Sequence, residues 1–268
     1  MQPGLQALIF DVDGTLADTE EAHRQAFNEA FAEAGLDWHW DPALYRRLLE
    51  VSGGKERILH FWRGLDASAA GADGAAGRVA RLHAIKTRIY EANVSSGRVR
   101  LRPGVQRLMA EALSAGLGLA IATTTTPANI DALLRVCLGP QWRRVFSYVG
   151  HADSAPRKKP DPQVYQLGLA TLGLGAVQCV AFEDSAHGLA AARALNIPTI
   201  VTPSPWTEGQ DFAGALQVLP HLGDPWDPLP SQATGAARHA WLDLETLRSW
   251  QREAAAQAAG AGQTSDSN

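Results

Sequence analysis

Two carboxylates stand two residues apart in Leu8-Ile9-Phe10-Asp11-Val12-Asp13-Gly14-Thr15-Leu16, at the end of an apolar run and just ahead of a glycine. In an extended strand such residues project to the same side, so Asp11 and Asp13 leave the sheet edge together. Two anions that close repel unless a cation or a proton lies between them. The chemistry open to the pair is that of a divalent metal site, with one carboxylate attacking and the other carrying protons. An Asp-rich turn closing a strand is the plainer alternative, and the dipeptide pattern alone leaves both open.

Three later segments carry comparable groups. Thr123-Thr124-Thr125-Thr126-Pro127 stands between a strand pattern and a helix pattern, where hydroxyls and free amides can cradle phosphate or simply cap the helix. Arg157-Lys158-Lys159-Pro160-Asp161-Pro162 sets a basic cluster directly before a proline-initiated helix. Phe182-Glu183-Asp184-Ser185 again places carboxylates at a strand end, with Gly188 in the helix behind them.

The elements that must position these groups alternate. Short, uniformly apolar runs at Ala7–Phe10, Leu117–Ala122, Val145–Val149, Cys179–Phe182 and Thr199–Val201 read as buried parallel strands. Helical patterns at Val105–Ala115, Asn129–Leu138, Pro162–Leu172 and Ala186–Leu195 separate them. This order predicts an α/β fold, a doubly wound parallel sheet with right-handed crossovers. Between the first strand and Arg102-Pro103-Gly104 the rhythm breaks into helical patterns at Glu20–Ala34, Pro42–Leu49 and Ala80–Asn93, with an Ala/Gly-rich loop over Asp66–Gly77. An all-helical module inserted there leaves from the sheet edge that carries Asp11 and Asp13 and can cover it, where ligands of such sheets bind. The expected division is 1–17 with 98–230 as the α/β core, 18–97 as a helical cap, and 231–268 as a C-terminal helix with a frayed Ala/Gly/Gln/Ser tail over 254–268.

Composition narrows the function classes. The chain has 268 residues, enough for one large domain or a domain with an insert. A net charge of −4 with mixed signs gives no nucleic-acid footprint. Two distant cysteines, Cys137 and Cys179, fit a reducing compartment rather than a disulfide scaffold. With no leader-like or membrane-spanning run, the expectation is a cytoplasmic, soluble monomer that binds neither membrane nor nucleic acid. Of the eight tryptophans, Trp206, Trp226, Trp241 and Trp250 lie late and are expected to anchor the C-terminal segment.

In their order, the four chemistry-bearing segments resemble motifs I to IV of the haloacid dehalogenase-like phosphohydrolases, from Leu5 to about Leu222. The resemblance implies a Rossmann-like core whose fourth, first and second strands lie side by side. It implies Asp11 as nucleophile, Asp13 as general acid and base, and Thr123 and Lys159 as stabilisers of phosphoryl oxygens, with Lys158 a surface neighbour. Mg²⁺ would be held by the side chains of Asp11 and Asp184 and the backbone carbonyl of Asp13, with Glu183 either behind these ligands or an alternative ligand. Thr124, Thr125, Thr126 and Asn129 would reach the sugar.

The cap carries the substrate. Glu20, His23 and Arg24 share its first helix, Glu20 and Arg24 four apart; an exposed ion pair with a satisfied histidine is the plainer reading, while the resemblance turns Glu20 and His23 to substrate. Ser52-Gly53-Gly54-Lys55-Glu56-Arg57 reads as a loop whose amides and cations can hold a phosphate that is not cleaved, a helix-to-helix turn with solvated charges being the plainer alternative. This string is similar to the cap loop of the CbbY-type branch, phosphatases of sugar bisphosphates such as xylulose 1,5-bisphosphate. His83 and Lys86, with Tyr90, would line the pocket opposite. The alternatives are a β-phosphoglucomutase-like mutase, whose cap must exclude water, a dehalogenase, and a non-catalytic sugar-phosphate-binding protein.

Overall fold

The structure is a computed structural model that describes residues 4–97, 99–230 and 240–263, the side chains of 257–263 excepted. Six parallel strands form one sheet in the order β3-β2-β1-β4-β5-β6: β1 (Ala7–Phe10), β2 (Gly118–Ala122), β3 (Tyr148–Gly150), β4 (Cys179–Glu183), β5 (Thr199–Val201) and β6 (Gln217–Val218). The helices are α1 (Glu20–Glu33), α2 (Pro42–Leu48), α3 (Gly54–Leu65), α4 (Ala67–Gly71), α5 (Ala75–Ser95), α6 (Val105–Ser114), α7 (Pro127–Leu138), α8 (Gln163–Leu172), α9 (Ala186–Arg193) and α10 (Leu244–Gln263).

Why the central strands read as unbroken apolar runs is visible in their packing. Along β1, Leu8 and Phe10 join the core built with Leu108, Ile130 and Leu133, while Ala7 and Ile9 face Val164, Tyr165 and Ala191 on the other side. Both faces are covered, so neither needs polar residues. Phe10 stands opposite Ile121 on β2 and Phe182 on β4. That register brings Asp11, Thr123 and Glu183 to one end of the sheet, beside the point where the chain order reverses. Crevices at such switch points are where doubly wound sheets bind ligands.

Helices α1 to α5 build a separate aromatic core. Along α1, His23, Ala26, Phe27, Ala30 and Phe31 are buried at three- and four-residue spacing, and Phe27 and Phe31 pack with Trp40, Tyr45, Ile58 and Trp62. Asp41 caps α2 by accepting from the Leu44 N–H, ahead of Pro42. The chain leaves and re-enters the sheet layer side by side: Ala17 bridges Leu101, and the Arg102 N–H donates to the Leu16 carbonyl at 2.8 Å.

Several expectations need correction. Lys55, Glu56 and Arg57 lie in the first turn of α3, not in a loop; Ile58 and Trp62, four apart on its buried side, carry that helix. The segment 66–77 holds α4, capped by Asp66, and the start of α5. Arg24 pairs with Glu21 at 2.6 Å rather than with Glu20, whose carboxylate accepts from the Tyr45 hydroxyl. Val145 ends a 3-10 turn and strand β3 starts at Tyr148, while β6 is too short to leave a period-2 signal. Trp206 packs on the aromatic core of the helical module and Trp226 is 82% exposed, so neither anchors the C-terminal segment. Trp250 does pack against the main core.

The expected frayed tail begins inside α10, where Ala255 is buried; residues 264–268 lie outside the described residues, as do 231–239. Among the described residues no helix is long and apolar enough to cross a membrane, and Cys137 and Cys179 are free thiols.

Candidate active site

At the carboxyl ends of β1, β2 and β4 a cavity of about 340 Å³ opens between the sheet and helices α1, α3 and α5. The residues singled out in the sequence as catalytic, metal-ligating or substrate-binding line it, except Tyr90, which stacks on the His23 ring instead.

Lys159 sits at its floor. The ammonium donates to Asp11 Oδ1 at 2.7 Å, Glu183 Oε1 at 2.6 Å and the Ala122 carbonyl at 2.7 Å. Burial alone would lower its pKa, but the two carboxylates reverse that and raise it, keeping Lys159 charged. Glu183 is pushed up to about 7, by burial first and then by the charge of Asp11, against the pull of Lys159. Tyr165, which carries no motif of its own, also donates to Glu183. Asp184 is pushed well above the carboxylate range by burial and by the charges of Asp11 and Glu183. Ser204 and Thr207 donate to its Oδ2 at 3.0 and 3.2 Å.

Asp11, Glu183 and Asp184 offer oxygens within 4.8 Å of one another. Ionised together, three buried carboxylates against one lysine would leave net negative charge in a desolvated pocket, and the raised pKa values of Glu183 and Asp184 express that cost, which a further cation would relieve. Glu183 Oε2 is buried and has no partner. Gly14, at a φ of 79°, leaves the room beside Asp184 Oδ2 that a Cβ would fill. A hard, oxygen-only donor set of this kind fits a divalent cation.

Asp13 faces the helical module. Its Oδ1 accepts from the Thr19 hydroxyl at 2.6 Å and from His23 Nε2 at 2.9 Å. Lys86 Nζ lies 2.6 Å from His23 Nδ1; when Lys86 is an ammonium it has only hydrogens to give, so in that form Nδ1 accepts and Nε2 carries the hydrogen that Asp13 receives. Burial alone would raise Asp13, but His23 and Thr19 hold it well below the usual carboxylate range. Lys86 is brought down to about 7 by burial and the nearby Arg57, despite Asp13 and Glu20. Thr19 is a further residue that the motifs miss. Its signal is local: it occupies the N-cap of α1 without capping it, because its hydroxyl is committed to Asp13.

The threonine run divides its tasks. Thr123 Oγ1 accepts from the Thr125 N–H at 3.3 Å, Thr126 caps α7, and the Asn129 amide donates to Thr125 Oγ1 at 2.9 Å. Asn129 Oδ1 is buried and unpartnered. Thr126 thus serves the cap, while Thr123, Thr124 and Thr125 turn to the cavity they line with it.

At the far end of the cavity, Gly53 precedes α3 with a φ of 94°, and Gly54 lets the His83 ring approach the helix start more closely than a Cβ would allow. Lys55 lines this end, joined by Lys158, which the sequence reading left on the surface. Arg57 is engaged by the Leu48 carbonyl at 3.0 Å and the Tyr45 hydroxyl at 3.2 Å. His83 is held down to about 3, by burial first and then by the charges of Lys86, Lys55, His23 and Lys158. A bound anion reverses part of that shift, since opposite charge favours the protonated form. Imidazole NMR titrations should show His83 neutral down to about pH 3 in the free protein, and titrating at higher pH with a sugar bisphosphate bound; an unmoved His83 contradicts anion binding there.

A sheet with an Asp-x-Asp turn, a threonine turn, a buried lysine and a second acidic strand end meeting in one cleft defines a class of hydrolase, and the family model for haloacid dehalogenase-like hydrolases matches residues 5–196. The chain belongs to that family, and it is an enzyme of the phosphatase type. Within the family it is similar to the CbbY proteins. The plasmid-encoded protein CbbY of Cupriavidus necator is 58% identical over 246 residues, 92% of this chain and 96% of that one. Crystal structures of CbbY from Rhodobacter sphaeroides superpose with a TM-score of 0.76, covering 81% of this chain and 94% of that one. One, 44% identical, is a complex with phosphate; another, a mutant at 43% identity, is a complex with xylulose-(1,5)bisphosphate.

Proposed function

We propose that this protein is a Mg²⁺-dependent phosphatase that removes one phosphate from a sugar bisphosphate, such as xylulose 1,5-bisphosphate, by way of a phosphoryl group carried on Asp11. The observation that carries the substrate is the pair of lysines, Lys55 and Lys158, that line the cavity beside Gly53, Gly54 and the neutral His83 ring. A monophosphate needs the Asp11 end alone; a second anion gives the other end its counter-charge. The xylulose-(1,5)bisphosphate complex of the Rhodobacter sphaeroides relative supports the same reading. Residues 1–17 and 98–230 are assigned as the catalytic core, and 18–97 as the cap that contributes the distal end.

In the first half-reaction an Asp11 oxygen attacks phosphorus in line, the bond from phosphorus to the sugar oxygen breaks, and Asp13 gives that oxygen its proton. A phosphate dianion beside Asp13 adds like charge and pushes its carboxyl towards the protonated form; His23 can relay the proton, Nε2 giving its hydrogen to Asp13 as Nδ1 takes one from Lys86. In the second half-reaction Asp13 takes a proton from water as the water oxygen bonds to phosphorus and the Asp11–phosphorus bond breaks. Lys159 would neutralise equatorial oxygens and the Thr123 hydroxyl would donate to them; both line the cavity. Asp11, Asp184 and either Glu183 or the Asp13 carbonyl would hold Mg²⁺, which when bound supplies charge neutralisation for the phosphoryl oxygens.

The discriminating experiment is steady-state phosphate release from matched sugar mono- and bisphosphates. Lys55→Ala should lower kcat/KM for the bisphosphate by about 10-fold or more, the scale of one charge-assisted contact, and leave the monophosphate nearly unchanged. Equal losses on both remove the distal-phosphate assignment.

A further inference from the structure

The loop after β5 faces two ways. Ser204 and Thr207 turn their hydroxyls to Asp184 Oδ2, at 3.0 and 3.2 Å, and lie 3.1 Å from each other. Trp206, between them, turns outward and packs on the helical module. Its ring meets Tyr45 edge-on at a centroid distance of 5.3 Å, and the Arg46 guanidinium lies 5.9 Å from its centroid. Arg46 also donates to the Pro205 carbonyl at 3.0 Å. Within the loop the Trp206 N–H donates to Ser204 Oγ at 3.3 Å, and the Ser204 N–H donates to Thr207 Oγ1 at 2.9 Å. The Trp206 backbone and the two hydroxyls thus form one hydrogen-bonded unit.

We propose that Trp206 is a positioning residue: seated on Tyr45, it holds the Ser204 and Thr207 hydroxyls against Asp184 and so couples the helical module to the metal-binding carboxylates. Asp184 shares its pocket with two other buried carboxylates, and repulsion would turn it away unless donors fix it. Its two hydroxyl donors belong to a loop whose outward contact lies on the other side of the cavity. Tyr45 in turn donates to Glu20 and accepts from Arg57, both of which line the substrate cavity. A continuous set of contacts therefore runs from the substrate end of the module to the metal end of the sheet, and Trp206 is its crossing point. Outer-shell partners of this kind set ligand orientation and metal affinity.

The inference rests on the proposed metal site, and its test reads metal binding directly. Calorimetric titration of the free, full-length protein with Mg²⁺ should show about 10-fold weaker binding in Trp206→Ala, the lower end of outer-shell effects. Trp206→Phe, which keeps an aromatic edge on Tyr45, should restore most of it. Trp206→Leu, which keeps apolar bulk without the ring contact, should not. In a Ser204→Ala, Thr207→Val background, Trp206→Ala should bring no further loss, because residues acting through one another are not additive. Wild-type affinity in Trp206→Ala and Trp206→Leu, or the same loss in both backgrounds, overturns the inference alone. Absence of Mg²⁺ binding by the unsubstituted protein overturns the metal reading and this inference with it.

Discussion

Asp11→Asn abolishes phosphate release, by on the order of 10⁴-fold or more in kcat, the scale on which removal of a nucleophile acts. The substitution keeps the size of the side chain and replaces an anion by a neutral amide, whose oxygen cannot carry a phosphoryl group. It also removes one of the two carboxylates against which Lys159 rests at 2.7 and 2.6 Å, while Glu183 keeps the lysine paired. The fold should therefore survive. Phosphate release by a colorimetric assay, with a thermal melt on the same sample, checks both halves. Substantial turnover in a folded Asp11→Asn protein would remove Asp11 from the nucleophile's position.

Lys159→Met should lower stability by about 3–5 kcal/mol, the cost of leaving a buried ion pair without one partner. Lys159 is 5% exposed and faces Asp11, Glu183 and the Ala122 carbonyl; methionine fills the space but takes the cation from two buried carboxylates, of which Glu183 keeps only its neutral Tyr165 donor. The remaining pocket then holds three carboxylates and no cation, so Mg²⁺ should restore more stability to this variant than to the wild-type protein. Activity should stay lost even when the fold is restored, because no fixed positive charge remains beside the attacking oxygen. Chemical denaturation in chelator and in Mg²⁺ reads the stability, and phosphate release reads the chemistry. A variant as stable as wild type in chelator contradicts the pairing; full activity contradicts the role.

The sheet was legible because its strands are buried on both faces, as the runs Ala7–Phe10 and Cys179–Glu183 are, and because its site residues follow directly on strand ends. Register then does the rest: once Phe10 lies between Ile121 and Phe182, the acidic and hydroxyl residues that follow converge. Less legible was anything held by side chains from distant elements. Thr19, Tyr165 and the pair Ser204 and Thr207 reach the carboxylates from three separate segments, and no spacing within any one segment marks them. Glycine misled at Gly53-Gly54, which reads as a loop but opens a helix, since a residue with positive φ can serve as a helix N-cap as well as a turn. Lys158 was misplaced for a related reason. Beside the motif lysine it looks like a solvated neighbour, and only the helical module lying above it turns that side chain into part of a cavity.

The central claim is that phosphate leaves by way of Asp11. Mixing the Mg²⁺-loaded protein with a sugar bisphosphate, quenching in acid within milliseconds and mapping peptides by mass spectrometry tests it most directly. The account predicts one phosphoryl group on the peptide that contains Asp11, formed before free phosphate appears and absent from Asp11→Asn. Turnover with no phosphorylated peptide at any quench time, or phosphorylation at another residue, would contradict it.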